Sequence, residues 1–360
     1  MIRGAFRGGR VPAILALAAV WPISAALAQG FGGTVSDHLV RGDSLLAQGK
    51  GAEAAIQFQE ARTLCPIPAE IVSALQGEAR AKLLMNEPLQ AVGLLEEAVT
   101  RFPDDPRASN LLYQAGLAAL HARDFDRTID LFRKALGKSP TPDILPPLKF
   151  QLAHALRLRG RQGEVIEVLK DFEKDFPDHA LLPNALYELA IATHDLGSGN
   201  RNRAKLEEAA AIYKKLIDRF PGRPAATEAH FEMGLVLAEL GRGPESTEYF
   251  TKYVSLSPGS PLAAVALERA ADQMLVRSPK QSAQLYALAL VKAQANRSPA
   301  ETGYALSRWL PAKQRLAEAL SKVWVVAIVA LVALGLVFLL GRSVVKRVRR
   351  VRKAPDPVGA

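Results

Sequence analysis

Cysteine is almost absent from this chain, whose 360 residues include only Cys65. No intrachain disulfide can form, so the stability of the fold must come from packing, and the single thiol is interpreted as a small buried or capped group. Aromatic residues make up only 6% of the chain, whereas apolar residues of all kinds make up 49%. The composition predicts a packed structure built mainly from aliphatic side chains.

The sequence also lacks the residue patterns of the common catalytic and metal sites. Its six histidines are scattered, with no pair at metal-ligand spacing. Gly49-Lys50 is not a phosphate-binding loop, because Ser44 occupies the place of the first glycine. His194-Asp195 is interpreted as polar residues near a helix end rather than as part of a catalytic triad. We therefore expect no enzyme, no metal, no cofactor and no small-molecule substrate.

Net positive charge is almost absent from the central part of the chain, although the whole chain carries +10. Three arginines lie within the first ten residues, and seven basic residues against one acid lie in the C-terminal segment. Those seven are Arg342, Lys346, Arg347, Arg349, Arg350, Arg352 and Lys353. The rest of the chain is left with about +1, which predicts no nucleic-acid partner.

The N-terminus has the layout of a secretory signal peptide. After the arginines come an apolar run over residues 11–20 and the small-residue sequence Ala26-Leu27-Ala28, which precedes Gln29. Residues 1–28 are predicted to be a signal peptide that is removed on export. The alternative is that this segment stays attached as an uncleaved membrane anchor.

A second apolar segment, residues 323–340, contains no charged residue and lies between Lys322 and Arg342. As a helix it would span roughly 27 Å, which suffices to cross a bilayer. Residues 322–341 are therefore predicted to form one transmembrane helix. Because basic residues concentrate beyond it, the tail over residues 342–360 is expected in the cytoplasm and the body on the exported side.

Prolines recur along the body at a fixed interval of 37 residues, with one step of 44. They are Pro66, Pro103, Pro140, Pro177, Pro221 and Pro258. A small residue stands at a matching position upstream of each: Gly42, Ala79, Gly116, Ala153, Ala190 and Gly234. The seven surplus residues of the long step, 197–203, are polar and contain glycine, which predicts a loop.

This period predicts pairs of antiparallel helices. The small residue of the first helix lets the second approach closely, and an aromatic or leucine eight residues before each proline fills the gap. The proline ends the second helix, because it has no N–H and clashes with the preceding turn. One such hairpin cannot bury its apolar face alone, so several must stack.

These residues resemble the tetratricopeptide repeat, whose unit has an early small residue, an aromatic in the second helix and a terminal proline. The resemblance implies an all-α, right-handed solenoid over residues 29–295, with six clear repeats and one degenerate repeat. Residues 296–321 are interpreted as a capping and juxtamembrane helix. The long period looks like the periplasmic branch of the family, which contains an outer-membrane assembly lipoprotein and the cell-division coordinator of the Tol-Pal system.

Four consecutive repeats carry an aromatic residue three positions before the small residue: Tyr113, Phe150, Tyr187 and Phe231. In the family this position faces the concave groove, so the resemblance implies a row of rings where a partner binds. The alternative is that the rings replace the family's absent tryptophan and pack between helices.

The sequence thus predicts a scaffold in the inner membrane of a bacterium, crossing it once, with its solenoid in the periplasm. Its partner is expected to be an envelope protein or peptide bound in the groove. Two alternatives stay open, namely an assembly factor for outer-membrane proteins and a sensor or transport subunit that couples through the basic tail.

Overall fold

The computed structural model describes residues 33–295, 310–326, 328 and 332, and these residues form helices and turns without a strand. They divide into two compact units, with the division between Leu169 and Lys170. The helices of the first unit are α1 (Val35–Ala47), α2 (Gly51–Leu64), α3 (Pro68–Leu84), α4 (Pro88–Arg101), α5 (Ala108–His121), α6 (Phe125–Gly137), α7 (Leu145–Leu158) and α8 (Gln162–Leu169).

The second unit continues with further helices of the same kind. They are α9 (Phe172–Asp175), α10 (Leu182–Gly199), α11 (Arg203–Arg219), α12 (Pro224–Glu239), α13 (Gly243–Leu256), α14 (Ala263–Met274), α15 (Pro279–Ala295) and α16 (310–326). Apart from α9 and α16, the helices pack in successive hairpins. We call α1, α3, α5, α7, α10, α12 and α14 the first helices, and their partners α2, α4, α6, α8, α11, α13 and α15 the second helices.

Six hairpins turn through one residue in the left-handed backbone region. These residues are Gly49, Asn86, Arg123, Gly160, Arg201 and Gly241, with φ between 50° and 77°. The residue that follows donates its N–H to the last turn of the first helix, as Lys50 does to the carbonyl of Leu45 at 2.9 Å. Such a turn satisfies carbonyls that the end of a helix otherwise leaves without a donor.

The cores of five hairpins are built on matched side-chain sizes. Glycine faces phenylalanine in three hairpins: Gly42 with Phe58, Gly116 with Phe132, and Gly234 with Phe250. A Cβ added at Gly116 would lie 2.4 Å from the Phe132 ring, so no larger residue fits without a shift. Where alanine replaces glycine, at Ala79 and Ala153, the second helix carries leucine, at Leu95 and Leu169, and all four are buried.

The periodic prolines all lie in the segments between hairpins. Each stands two or three residues beyond the end of a helix, as Pro66 does after α2 and Pro140 after α6. Cys65 lies in one of these segments, where its buried thiol donates to the Glu70 carboxylate at 2.9 Å.

The predicted loop over residues 197–203 is too long, because α10 continues to Gly199, α11 begins at Arg203, and only residues 200–202 form the turn. Seven residues are close to two turns of helix, so the insert lengthens both helices at the hairpin tip without rotating their apolar faces. Gly197 permits their approach, since a Cβ there would lie 3.0 Å from the Leu206 side chain. The lengthened tip contacts the next hairpin, where the Ser198 hydroxyl donates to Glu239.

Helix α16 packs on the last hairpin of the second unit. Leu310 and Ala317 are fully buried in the cluster that contains Tyr286. Among the described residues, no helix combines the length and the apolarity needed to span a bilayer. The predicted signal peptide (1–28) and tail (342–360) lie outside the described residues, as does most of the predicted transmembrane segment (322–341). The proposed domain boundaries stay predictions.

Candidate partner-binding surface on the first helices

Within each unit, first helices of neighbouring hairpins lie side by side, as α1 does with α3 and α10 with α12. The layer that they form is called here the first-helix surface of that unit. The aromatic row enters it at one repeated position, from α5, α7, α10 and α12. Tyr113, Phe150 and Tyr187 are half-buried there, whereas Phe231 is only 8% exposed.

These rings also contact the core. The ring centre of Tyr113 lies 5.8 Å from that of Phe132, and that of Tyr187 lies 6.3 Å from Tyr213. Burial raises the pKa of the Tyr113 phenol. Each of the two tyrosines therefore packs one part of its ring on the second helix and leaves another part accessible. This arrangement is compatible with partner binding and with packing between helices, the two roles that the sequence left open. Their role in binding stays a prediction.

The first unit has a cleft of about 490 Å³ between α3 and α5. Its lining residues are Gln76, Ala79, Arg80, Leu83, Leu95, Gln114 and Leu117. The Gln76 amide nitrogen donates to Gln114 Oε1 at 3.1 Å, and the Gln114 amide nitrogen donates to Asn110 Oδ1 at 2.7 Å. Arg80 forms an ion pair with Asp43 on α1, with an N–O distance of 2.8 Å.

The lining of this cleft combines amide groups with apolar side chains. Its glutamine amides can donate to and accept from the main chain of an extended peptide, and Leu83 and Leu117 offer apolar contact. In the described part of the chain, no group of three or more histidine, cysteine, aspartate or glutamate residues is placed to hold a metal ion. Sequence reasoning missed these glutamines, because no motif marks them.

The first-helix surface of the second unit is acidic. Helices α10 and α12 contain no lysine or arginine but five carboxylates: Glu188, Asp195, Glu228, Glu232 and Glu239. His194 is buried between two of them, with Nε2 3.1 Å from Glu239 and Nδ1 4.0 Å from Glu232. His194 therefore bridges two hairpins, which neither the triad reading nor the helix-end reading of the sequence anticipated.

A tyrosine hydroxyl is buried in the hairpin of α10 and α11. Tyr213 of α11 is completely buried, and its hydroxyl has no hydrogen-bond partner. Burial raises the pKa of this phenol well above its usual value, and the negative charge of Glu232 adds to the effect. Charges on Asp195 and Glu188 contribute in the same direction.

The repeats themselves agree with a known family. A model of the tetratricopeptide repeat matches residues 77–141 and 189–261. This chain carries tetratricopeptide repeats. The predicted all-helical repeat fold is thereby confirmed, and tetratricopeptide repeats suggest a scaffold for protein–protein interaction. The absence of enzymatic activity stays a prediction.

Several solved structures share the fold. One is the C-terminal part of a repeat protein from Cytophaga hutchinsonii, at 14% identity and TM-score 0.54, which matches 72% of this chain and 96% of its own. RapI in its apo form is 12% identical, with a TM-score of 0.53, and the match covers 77% of this chain and 80% of RapI. A tetratricopeptide repeat protein from Parabacteroides merdae is 16% identical, with a TM-score of 0.50, and the match covers 70% of this chain and 88% of its own. At these identities the likeness shows the fold alone. No curated protein sequence matches the chain.

Proposed function

We propose that the protein is a membrane-anchored scaffold, facing the bacterial periplasm, whose first-helix surfaces bind an envelope protein or peptide. The observation that carries the binding role is the cleft between α3 and α5, which places glutamine amides beside leucine side chains. An extended peptide presents main-chain donors and acceptors and apolar side chains in alternation, and this lining can pair with both.

The location on the exported side is supported by sequence features alone. An export signal precedes the body, an uncharged apolar segment follows it, and seven basic residues lie beyond that segment. The test is to add protease to spheroplasts that carry the full-length protein. We expect the repeats to be digested and the tail to be protected. A protected body would contradict the proposed topology.

The binding role is tested by a photoreactive amino acid placed in the full-length protein in cells. At Gln114 it lies in the cleft, whereas at Lys134 it lies on the exposed side of second helix α6. We expect discrete adducts from position 114 that are absent or different from position 134. Identical adducts from both positions, or adducts from 134 alone, would contradict a partner bound on the first-helix surface.

A further inference from the structure

Contacts near its two ends show that α16 runs antiparallel to α15. Near its start, the ammonium of Lys313 lies 5.8 Å from the centre of the Tyr286 ring and 3.1 Å from Asp272 Oδ1. Near its end, α16 borders a cavity that also contacts the first residues of α15. The sequence of α16 leads into the uncharged segment 323–340. The turn between α14 and α15 therefore lies beside the first residues of that segment.

The cavity at this turn has a volume of about 300 Å³ and a basic, hydrogen-bonding side. Among its described lining residues are two cations, Arg277 and Lys280, and no carboxylate. Both side chains are exposed, and within the described part of the chain neither has an ion-pair partner. Ser278 and Gln281 add a hydroxyl and an amide. A ligand for this side must be negative and must accept hydrogen bonds, as the oxygens of a phosphate group do.

The rest of the lining includes an apolar side, formed by the beginning of the uncharged segment. Its residues are Trp324, Val325 and Ile328, which are 46–61% exposed. Val276, in the turn itself, is 72% exposed. Tryptophan beside aliphatic residues is typical of the level at which lipid headgroups meet acyl chains. Side chains suited to a headgroup and side chains suited to acyl chains thus line one cavity.

We propose that this cavity binds the phosphate group of an anionic phospholipid, so that the turn between α14 and α15 rests on the membrane surface. This inference rests on the proposed function, which places the segment after α16 in the bilayer, and adds a second membrane contact. Arg277 and Lys280 donate to the phosphate oxygens, and Trp324 packs beside the acyl chains. Two contacts fix the orientation of the second unit relative to the bilayer, which one spanning helix alone does not do.

The test uses full-length protein in nanodiscs that contain equal amounts of phosphatidylglycerol and phosphatidylcholine. A photoreactive amino acid replaces Val276, and a matched variant carries it at Val291, which is 59% exposed. Val291 lies about 18 Å along α15 from its first residue, on the side away from the turn. Mass spectrometry identifies the adducts. We expect lipid adducts from position 276, with phosphatidylglycerol about fivefold above phosphatidylcholine, and few or none from position 291.

Two double variants of the protein labelled at position 276 assign this preference to the cavity. Arg277→Gln with Lys280→Gln removes both cations of the lining, and the ratio of the two lipids in the adducts should fall to about one. The matched control, Lys252→Gln with Lys292→Gln, removes the same charge near the C-terminal ends of α13 and α15. The control should keep the fivefold preference.

The outcomes separate this inference from the membrane anchor on which it rests. Size-exclusion chromatography shows whether the protein enters the nanodiscs. If it enters them, the inference is overturned by the absence of lipid adducts at position 276 or by equal adducts at positions 276 and 291. Adducts without a preference for phosphatidylglycerol, or a preference that survives the loss of Arg277 and Lys280, would also overturn it. Failure to enter the nanodiscs would contradict the membrane anchoring in the proposed function and, with it, this inference.

Discussion

The first helices of the two units share one repeat frame but differ in charge. In the first unit, α1 and α3 contain acids and bases that nearly cancel, α5 contains no lysine, arginine or carboxylate, and α7 contains Lys149 and Arg157 with no acid. In the second unit, α10 and α12 contain five carboxylates and no lysine or arginine. A central region whose charges nearly cancel therefore contains surfaces of different sign. Charge has to be counted helix by helix before a partner class is excluded.

The units differ again in what their first-helix surfaces present. Amide groups of Gln76 and Gln114 pair across the first-helix surface of the first unit. In the second unit, buried His194 lies between the carboxylates of Glu232 and Glu239. Amides suit the main chain of a peptide, whereas carboxylates suit basic side chains. Under the proposed function, the two units would therefore differ in the partner groups that they accept.

The largest expected effect separates two positions of the aromatic row, one in each unit. Phe231→Ala should lower the stability of the second unit by about 3–5 kcal/mol, because its ring packs on Phe250 at 5.6 Å and on Tyr253 at 5.4 Å. Phe150→Ala should cost about 1–2 kcal/mol, because its ring in the first unit is only half-buried. Hydrogen exchange followed by mass spectrometry measures both losses locally.

Equal losses at the two positions would show that the row has one role throughout. The measurement must be local, because a chain of two units need not unfold in a single transition. Peptides from α12 and from α7 report on the substituted hairpins, and damage to one repeat should stay mainly there.

The next effect tests whether both units use the same hairpin core. Gly116→Ala and Gly234→Ala should each cost about 1–3 kcal/mol, because the new Cβ would lie 2.4 Å and 2.7 Å from the facing ring. Thermal melting and local hydrogen exchange check both variants. A loss of stability in one unit alone would contradict the claim that both units share the same hairpin core.

Two further variants serve as controls for this pair. Gly93→Ala in α4 meets nothing within 4 Å and should stabilise the protein by up to about 1 kcal/mol. Phe132→Leu combined with Gly116→Ala recreates the Ala79–Leu95 combination of the preceding hairpin. We expect this double variant to recover most of the loss, and failure to recover would contradict size matching as the cause.

The sequence predicted this hairpin core, because the period brings residues with the same environment to the same position. The contact between Gly116 and Phe132 could be predicted from the sequence, since both residues stand at fixed distances before Pro140. The period could not show that residues 197–203 continue a helix, because glycine and polar residues suggested a loop and two added turns leave the repeat phase unchanged.

The contact between His194 and Glu239 was missed because it joins neighbouring hairpins, and the repeat pattern alone does not show which side chains meet there. The two residues are 45 positions apart, one more than the 44-residue step between their repeats. Gln76 and Gln114 pair in the same way across a regular step of 37, at a separation of 38. Phenylalanine or leucine at the equivalent positions of the other clear repeats marks the hydroxyl of Tyr213 as an addition.

A smaller effect, of opposite sign, is expected at Tyr213 in the second unit. Tyr213→Phe should raise the stability of the free protein by about 1–2 kcal/mol, because it removes a buried hydroxyl without a partner and keeps the ring. Melting of the full-length protein checks this, with Tyr253→Phe as the control, since the Tyr253 hydroxyl bonds to Ser260 at 2.7 Å. The control should lose stability. A loss at Tyr213 as well would mean that its hydroxyl supports the fold, and the comparison between the units would rest on charge alone.

The smallest expected effect concerns the turn that both units share. Arg123 in the first unit and Arg201 in the second adopt φ of 59° and 50°, where other hairpins place Gly49, Gly160 or Gly241. A Cβ in the left-handed region costs free energy, and glycine avoids that cost but loses more entropy on folding. Arg123→Gly and Arg201→Gly should therefore each stabilise their hairpin by a net of about 0.5–1 kcal/mol. Urea unfolding monitored through local hydrogen exchange resolves changes of this size. A gain at Arg123 but a loss at Arg201 would identify a contact specific to the lengthened tip, because the backbone at the two turns is otherwise equivalent.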